Sequence, residues 1–172
     1  MTSASRKAPP RFAAGRARAL GLPTRGTTNP NRLRRMDNWI TAVLGPALRA
    51  VPELPPLAID LGYGATPVTA VEFAERLRRV RPDVRVLGLE LDPERVAAAQ
   101  FAPDPPPSAT PSSTAGPPFR LAFARGGFEL AGHRPALVRA ANVLRQYDEP
   151  AALRAWDTLR AGLAPGGLIV EG

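Results

Sequence analysis

Residues 57–67, Leu-Ala-Ile-Asp-Leu-Gly-Tyr-Gly-Ala-Thr-Pro, limit what this chain can fold into more than any other stretch. The apolar run does not alternate with polar residues, which fits a strand buried on both faces of a parallel sheet. Gly62 and Gly64 fit a tight turn where the backbone comes close to a ligand. Thr66-Pro67 has the form of a helix start, Thr as cap and Pro in the first turn. Val68, Val71, Phe73, Leu77 and Val80 give that helix an apolar face, and Arg81-Pro82 ends it. A second strand, Val84 to Leu89, follows and ends in the acid Glu90. Strand, glycine turn, helix, strand and acid make one half of a nucleotide-type binding fold.

The rest of the chain extends that pattern. Asn29-Pro30 resembles a capped helix start, followed by Leu33, Met36, Trp39, Ile40, Val43 and Leu44 at helical spacing until Gly45-Pro46 interrupts. Thr27, Thr28 and Asn31 either lie at the ligand mouth as part of a lid or belong to a helix that only packs on the core. Pro52 to Pro56 reads as a linker, and Asp92-Pro93 repeats the cap-and-Pro start. Seven of residues 101–118 are Pro, so this stretch reads as a low-complexity surface loop. Strands are expected at 119–124, 136–141 and 168–170, although Arg139 makes the second of these less apolar than the first strand. Pro150 begins a helix carrying Leu153, Trp156, Leu159 and Leu163, and the turn Ala164-Pro165-Gly166-Gly167 follows it. Strand–helix alternation of this kind predicts an α/β fold with right-handed crossovers. The expected organisation is a basic, disordered tail over 1–28, a helix and linker over 29–56, and one binding domain over 57–172.

Composition removes several chemistries. The chain has no Cys and a single His, His133, so disulfides, thiol catalysis and Cys- or multi-His-ligated zinc are excluded. This usage fits a reducing, cytoplasmic setting, and no apolar run approaches the roughly 20 residues of a membrane span. The net charge of +8 is uneven: nine of the 23 basic residues and no acid fall in residues 1–35. Such a tail either holds RNA through phosphate contacts or is only a solvated segment.

These pieces together resemble the class I S-adenosylmethionine-dependent methyltransferases from about residue 57 to 172. The resemblance rests on Asp60-x-Gly62-x-Gly64, on Val86-Leu87-Gly88-Leu89-Glu90-Leu91-Asp92-Pro93, and on Leu163-Ala164-Pro165-Gly166-Gly167-Leu168. It implies a Rossmann-like, mostly parallel sheet of about five strands in the order 3-2-1-4-5, flanked by helices. It also implies S-adenosyl-L-methionine as cofactor and a small-molecule or macromolecular methyl acceptor that these residues do not identify. By the same resemblance the cofactor is held by Asp60, Gly62, Tyr63, Gly64, Glu90, Leu91, Gly127, Phe128 and Asn142. Asp60 would take its ammonium group, Glu90 both ribose hydroxyls, and Leu91 would pack on the adenine.

The sequence departs from the family pattern at three points. Thr66 stands where a third glycine is common. Gly126-Gly127-Phe128 lacks the acid expected after the third strand, leaving backbone groups or Glu129. The family adds a helix and an antiparallel strand pair after the fifth strand. Here the residues stop first, so a truncated frame with an exposed, self-associating sheet edge is expected. Tyr147, Asp148 and His133 are the candidate general bases, none singled out by its pattern. Two other readings stay open: a non-catalytic, degenerate methyltransferase-like domain, and an NAD-binding oxidoreductase. The second is disfavoured by Pro67 in place of a further glycine.

Overall fold

The computed structural model describes residues 28–52, 55–101 and 120–172. The Arg-rich segment 1–27, with Thr27, and most of the proline-rich stretch lie outside the described residues. Five strands form one parallel sheet: β1 (Leu57–Leu61), β2 (Arg85–Glu90), β3 (Leu121–Arg125), β4 (Leu137–Ala140) and β5 (Leu168–Glu171). Their order, β3-β2-β1-β4-β5, is the one expected. The helices are α1 (Arg34–Trp39), α2 (Gly45–Ala50), α3 (Val68–Arg78), α4 (Pro93–Ala99) and α5 (Glu149–Gly162).

Alternation along the strands splits the core in two. Ala58, Val86, Leu121 and Leu137 face one layer, where they pack with Ile40 and Leu48 of the N-terminal segment and Phe73, Ala74 and Leu77 of α3. Ile59, Leu61, Leu87, Leu89, Val138 and Ala140 face the other, against Leu130 and Leu159. Each fully buried Phe or Leu here removes apolar area worth about 1.5–3 kcal/mol from water. Gly88 is dictated by space: a Cβ there would lie 2.6 Å from the Phe123 ring, which meets Tyr63 edge-on at 5.2 Å.

Three local expectations are corrected. The N-terminal helix does not start at Asn29-Pro30. Residues 30–33 form turns, and Asn31 takes φ 61°. Asn31 is held there by α3: its N–H donates to Glu72 Oε1 at 2.8 Å, and its Oδ1 accepts from Arg76 Nη2 at 3.1 Å. Second, Gly45-Pro46 does not break the helix; a π-turn over Ile40–Leu44 leads straight into α2, whose first turn tolerates Pro. Third, Thr66 does not cap α3, because Pro67 itself occupies the cap position and no side chain bonds the first turn. By contrast, Asp92 caps α4 as expected, accepting from the Glu94 N–H at 2.9 Å.

Candidate functional site

The site forms where β1, β2 and β3 end. Gly62 and Gly64 turn the chain with φ +68° and +88°, a left-handed backbone that costs a Cβ-bearing residue about 1–2 kcal/mol. The Gly62 N–H donates to Leu89 O at 2.8 Å, tying the turn to β2. Beside it, Glu90 is 4% exposed and strongly oriented. Its Oε1 accepts from the Leu91 N–H at 2.8 Å and its Oε2 from the Gly64 N–H at 3.1 Å. Arg95 Nη1 stands 3.6 Å from the same Oε2.

A cleft of about 270 Å³ opens at this edge. Gly62, Gly64, Glu90, Leu91, Gly127 and Phe128 line it, six of the nine residues that the sequence proposed. Its walls are chiefly apolar, with Leu91, Phe128, Val143 and Tyr147 facing the space. The rings of Phe128 and Tyr147 meet edge to face at 5.2 Å. Glu129 also borders the cleft, and its Oε1 accepts from the Gly127 N–H at 2.7 Å.

The other three proposed residues border a smaller hollow of about 40 Å³, which shares Gly62 and Gly64 with the main cleft. They are Asp60, Tyr63 and Asn142. Tyr63 offers the hollow little beyond its backbone. Its side chain is buried, and its hydroxyl donates to Arg95 O at 3.3 Å. Asn142 adopts φ 58°, and its carbonyl accepts from Gln146 Nε2 at 2.9 Å.

Asp60 is the surprise. It is 1% exposed, and Arg139 grips it with both arms: Nε to Oδ1 at 2.9 Å and Nη2 to Oδ2 at 2.6 Å. The β1–β4 register sets the two residues side by side on one sheet face. Arg139 is fully buried, and it donates also to Asp37 Oδ1 and to Thr69 O while its guanidinium lies 4.1 Å above the Phe73 ring. Arg76 Nη1 completes the cluster, 2.7 Å from Asp37 Oδ2.

Among the candidate bases, only Tyr147 lines the cleft. Burial, then the charge of Glu90, pushes its hydroxyl above the ordinary tyrosine range, so it stands protonated at neutral pH. Asp148 is spent as the cap of α5, accepting from the Ala151 N–H at 2.8 Å, and His133 is exposed away from the cleft. Sequence reasoning missed Arg95, Val143, Gln146 and Thr158 at the cleft. Val143 and Gln146 sit in the loop after β4, a location that could have named them. Thr158 carried no signal, since only the docking of α5 brings it to the edge.

No protein-family model and no curated protein matches the chain. Solved structures do. The plantazolicin methyltransferase BpumL, in complex with a monoazolic desmethylPZN analog and SAH, superposes with a TM-score of 0.52 at 11% identity. The match covers 82% of this chain and 47% of that one. The pentazolic complex of BpumL gives a TM-score of 0.51 at 11% identity, over 81% and 47% of the two chains. This is the class I methyltransferase fold. The chain spans about half the length of these enzymes, and the methyltransferase fold is built here from its five parallel strands and the turn after β1.

Proposed function

We propose that the chain binds S-adenosyl-L-methionine at the carboxyl edge of the sheet and supports methyl transfer to an acceptor. The observation that carries this reading is the convergence of the Gly62–Gly64 turn, Glu90, Leu91, Gly127 and Phe128 on one cleft. The residues fit the cofactor part by part. Glu90 presents a carboxylate held by backbone donors, suited to a ribose diol. Leu91, Phe128 and Val143 give apolar walls for a flat base, and Glu129 stands beside them as an acceptor for an exocyclic amino group. The hollow bordered by Asp60 and Asn142 would take the amino-acid end. When bound, the cofactor supplies a methyl group already activated on sulfur. The residues then need only hold it in line with an incoming nucleophile and exclude water.

Isothermal titration with S-adenosylhomocysteine and, separately, NAD tests this. Binding of the former and not the latter is expected. Glu90→Ala removes hydrogen bonds to a charged group worth about 1.5–3 kcal/mol and should weaken binding roughly 10- to 100-fold. Binding of NAD alone would overturn the reading. A second reading, a cofactor-binding domain without transfer, is favoured by Asp60, whose charge is already matched by Arg139. It predicts S-adenosylhomocysteine binding with no conversion of S-adenosylmethionine in the presence of acceptor mixtures.

A further inference from the structure

Three residues fasten the N-terminal segment to the glycine turn, α3 and β4. Thr28 Oγ1 donates to Tyr63 O at 3.2 Å and accepts from the Ala65 N–H at 3.1 Å, so one hydroxyl bridges both sides of Gly64. Asn31 engages Glu72 and Arg76 of α3. Asp37 of α1 meets Arg76 at 2.7 Å and Arg139 at 2.5 Å. Thr28, Arg32 and Leu33 of this segment form one wall of the hollow whose other wall holds Asp60 and Asn142. Asp37 itself lines neither the cleft nor the hollow. The Asp37 carboxylate reaches the hollow through Arg139, which holds Asp37 with Nη1 and Asp60 with Nε and Nη2. A guanidinium can grip one carboxylate at two points and reach a second because its five donors lie in a rigid planar fork; an ammonium, a point charge with three donors on one atom, lacks that geometry.

We propose that Arg139 is a positioning residue that makes docking of residues 28–39 and occupation of the cofactor hollow a single equilibrium. Ligand in the hollow should hold the segment down, and a segment held by Asp37–Arg139 should raise ligand affinity by the same factor, since linkage is reciprocal. The inference rests on the cofactor reading above.

The test measures S-adenosylhomocysteine affinity by calorimetry and trypsin cleavage at Arg34 and Arg35 by mass spectrometry, on the full chain. Asp37→Ala should weaken binding about 5- to 150-fold, the usual span of coupling between sites, although its carboxylate lines no part of the hollow. Saturating S-adenosylhomocysteine should slow cleavage of the wild type and give Asp37→Ala much less protection. Arg139→Lys should resemble Asp37→Ala in both readouts. Val84→Ala, in the core just ahead of β2 and at the end of that strand away from the cleft, controls for plain destabilisation and should leave affinity within about twofold at a temperature well below its unfolding. Wild-type binding with unchanged affinity in a folded Asp37→Ala sinks the coupling alone. Equal loss in Val84→Ala sinks it too, by making the effect one of general stability. No binding by the wild type sinks the proposed function and the coupling with it. Cleavage at Arg34 and Arg35 that Arg139→Lys leaves unchanged without ligand refutes the latch by itself.

Discussion

Arg139→Met tests the electrostatic core of this fold. The wild-type guanidinium is fully buried and gives four hydrogen bonds: two to Asp60, one to Asp37 and one to Thr69 O. Met fills most of the volume but leaves the carboxylates behind. Removing one member of a buried ion cluster costs about 3–5 kcal/mol, chiefly from the charge left unpaired. Asp37 keeps Arg76 at 2.7 Å, and Asp60 borders a small hollow, so the cost belongs in the lower half, about 3–4 kcal/mol. In a domain of this size that lowers Tm by roughly 6–16 °C. Urea unfolding followed by circular dichroism measures it, with an unchanged slope expected if the fold persists.

The deficit should also depend on pH. Burial holds the Asp37 carboxyl above its ordinary value, against the opposing pulls of Arg139 and Arg76. Without Arg139, burial acts more freely on the Asp37 carboxyl. A carboxyl whose folded pKa is raised destabilises the fold as pH rises through that pKa, and does no harm below its unfolded value. The loss in Arg139→Met should therefore shrink between pH 8 and pH 5. Replacing the cluster together (Asp37→Leu, Asp60→Leu, Arg139→Met) should recover most of the stability, because a well-packed apolar substitute strands no charge. Arg76 would still hold Glu72 and Asn31 in that variant. A cost below about 1 kcal/mol for Arg139→Met, the range of an exposed pair, would refute the reasoning.

Gly64→Ala should lose about 1–2 kcal/mol to left-handed strain and displace Thr28, whose Oγ1 would lie 2.7 Å from the new Cβ; urea unfolding and S-adenosylhomocysteine titration read both effects. At alkaline pH the fold should weaken from about pH 10 upward. Burial raises both Tyr63 and Tyr147 above the ordinary value of 10.0, so the unfolded chain ionises first, and stability present below that value is lost as pH rises. Tyr63→Phe should flatten that alkaline slope in a Tm-against-pH series. If the basic tail holds RNA, removing residues 1–28, with six basic residues, should lower the salt slope of RNA binding by up to about 4; an unchanged slope would exclude the tail as the contact.

The backbone plan was legible because it is written in local patterns. The unalternating run of β1, the Asp92-Pro93 start of α4 and the turn before β5 each announce an element within a few residues. The cleft was mostly legible for the same reason, since a parallel α/β sheet gathers its ligand groups at strand ends, where Gly62, Glu90 and Gly127 fall. What stayed hidden depends on distant pairing. Arg139 reads as a blemish in an apolar strand because its partners Asp60 and Asp37 lie 79 and 102 residues away. Thr28 reads as the end of a basic tail or as a lid residue at the ligand mouth; it does border the hollow, but its partner, the Tyr63 carbonyl 35 residues away, could not be read. Asn31 reads as part of a helix start, yet its backbone is set by α3. In each case a tertiary hydrogen bond overrode a correct local rule.

The hidden pairing changes what the acid before the glycine turn can do. An unpaired carboxylate in a buried strand would be costly, and it would meet an ammonium group with a full charge. Asp60, gripped by Arg139, instead offers oriented lone pairs from a site whose local charge is nearly balanced. It can then fix the direction of an approaching N–H more than it strengthens attraction. On the proposed cofactor reading, a preference for a zwitterionic ligand would come from groups around it, the Gly62–Gly64 backbone and Asn142 among them. Asp60→Asn should therefore weaken S-adenosylhomocysteine binding less than Glu90→Gln does, because Glu90 faces the cleft with backbone donors and a more distant Arg95 at 3.6 Å, whereas Asp60 has already given its charge to Arg139. Calorimetry on the two variants decides it; a larger loss for Asp60→Asn would return that carboxylate to the role of a direct charge partner.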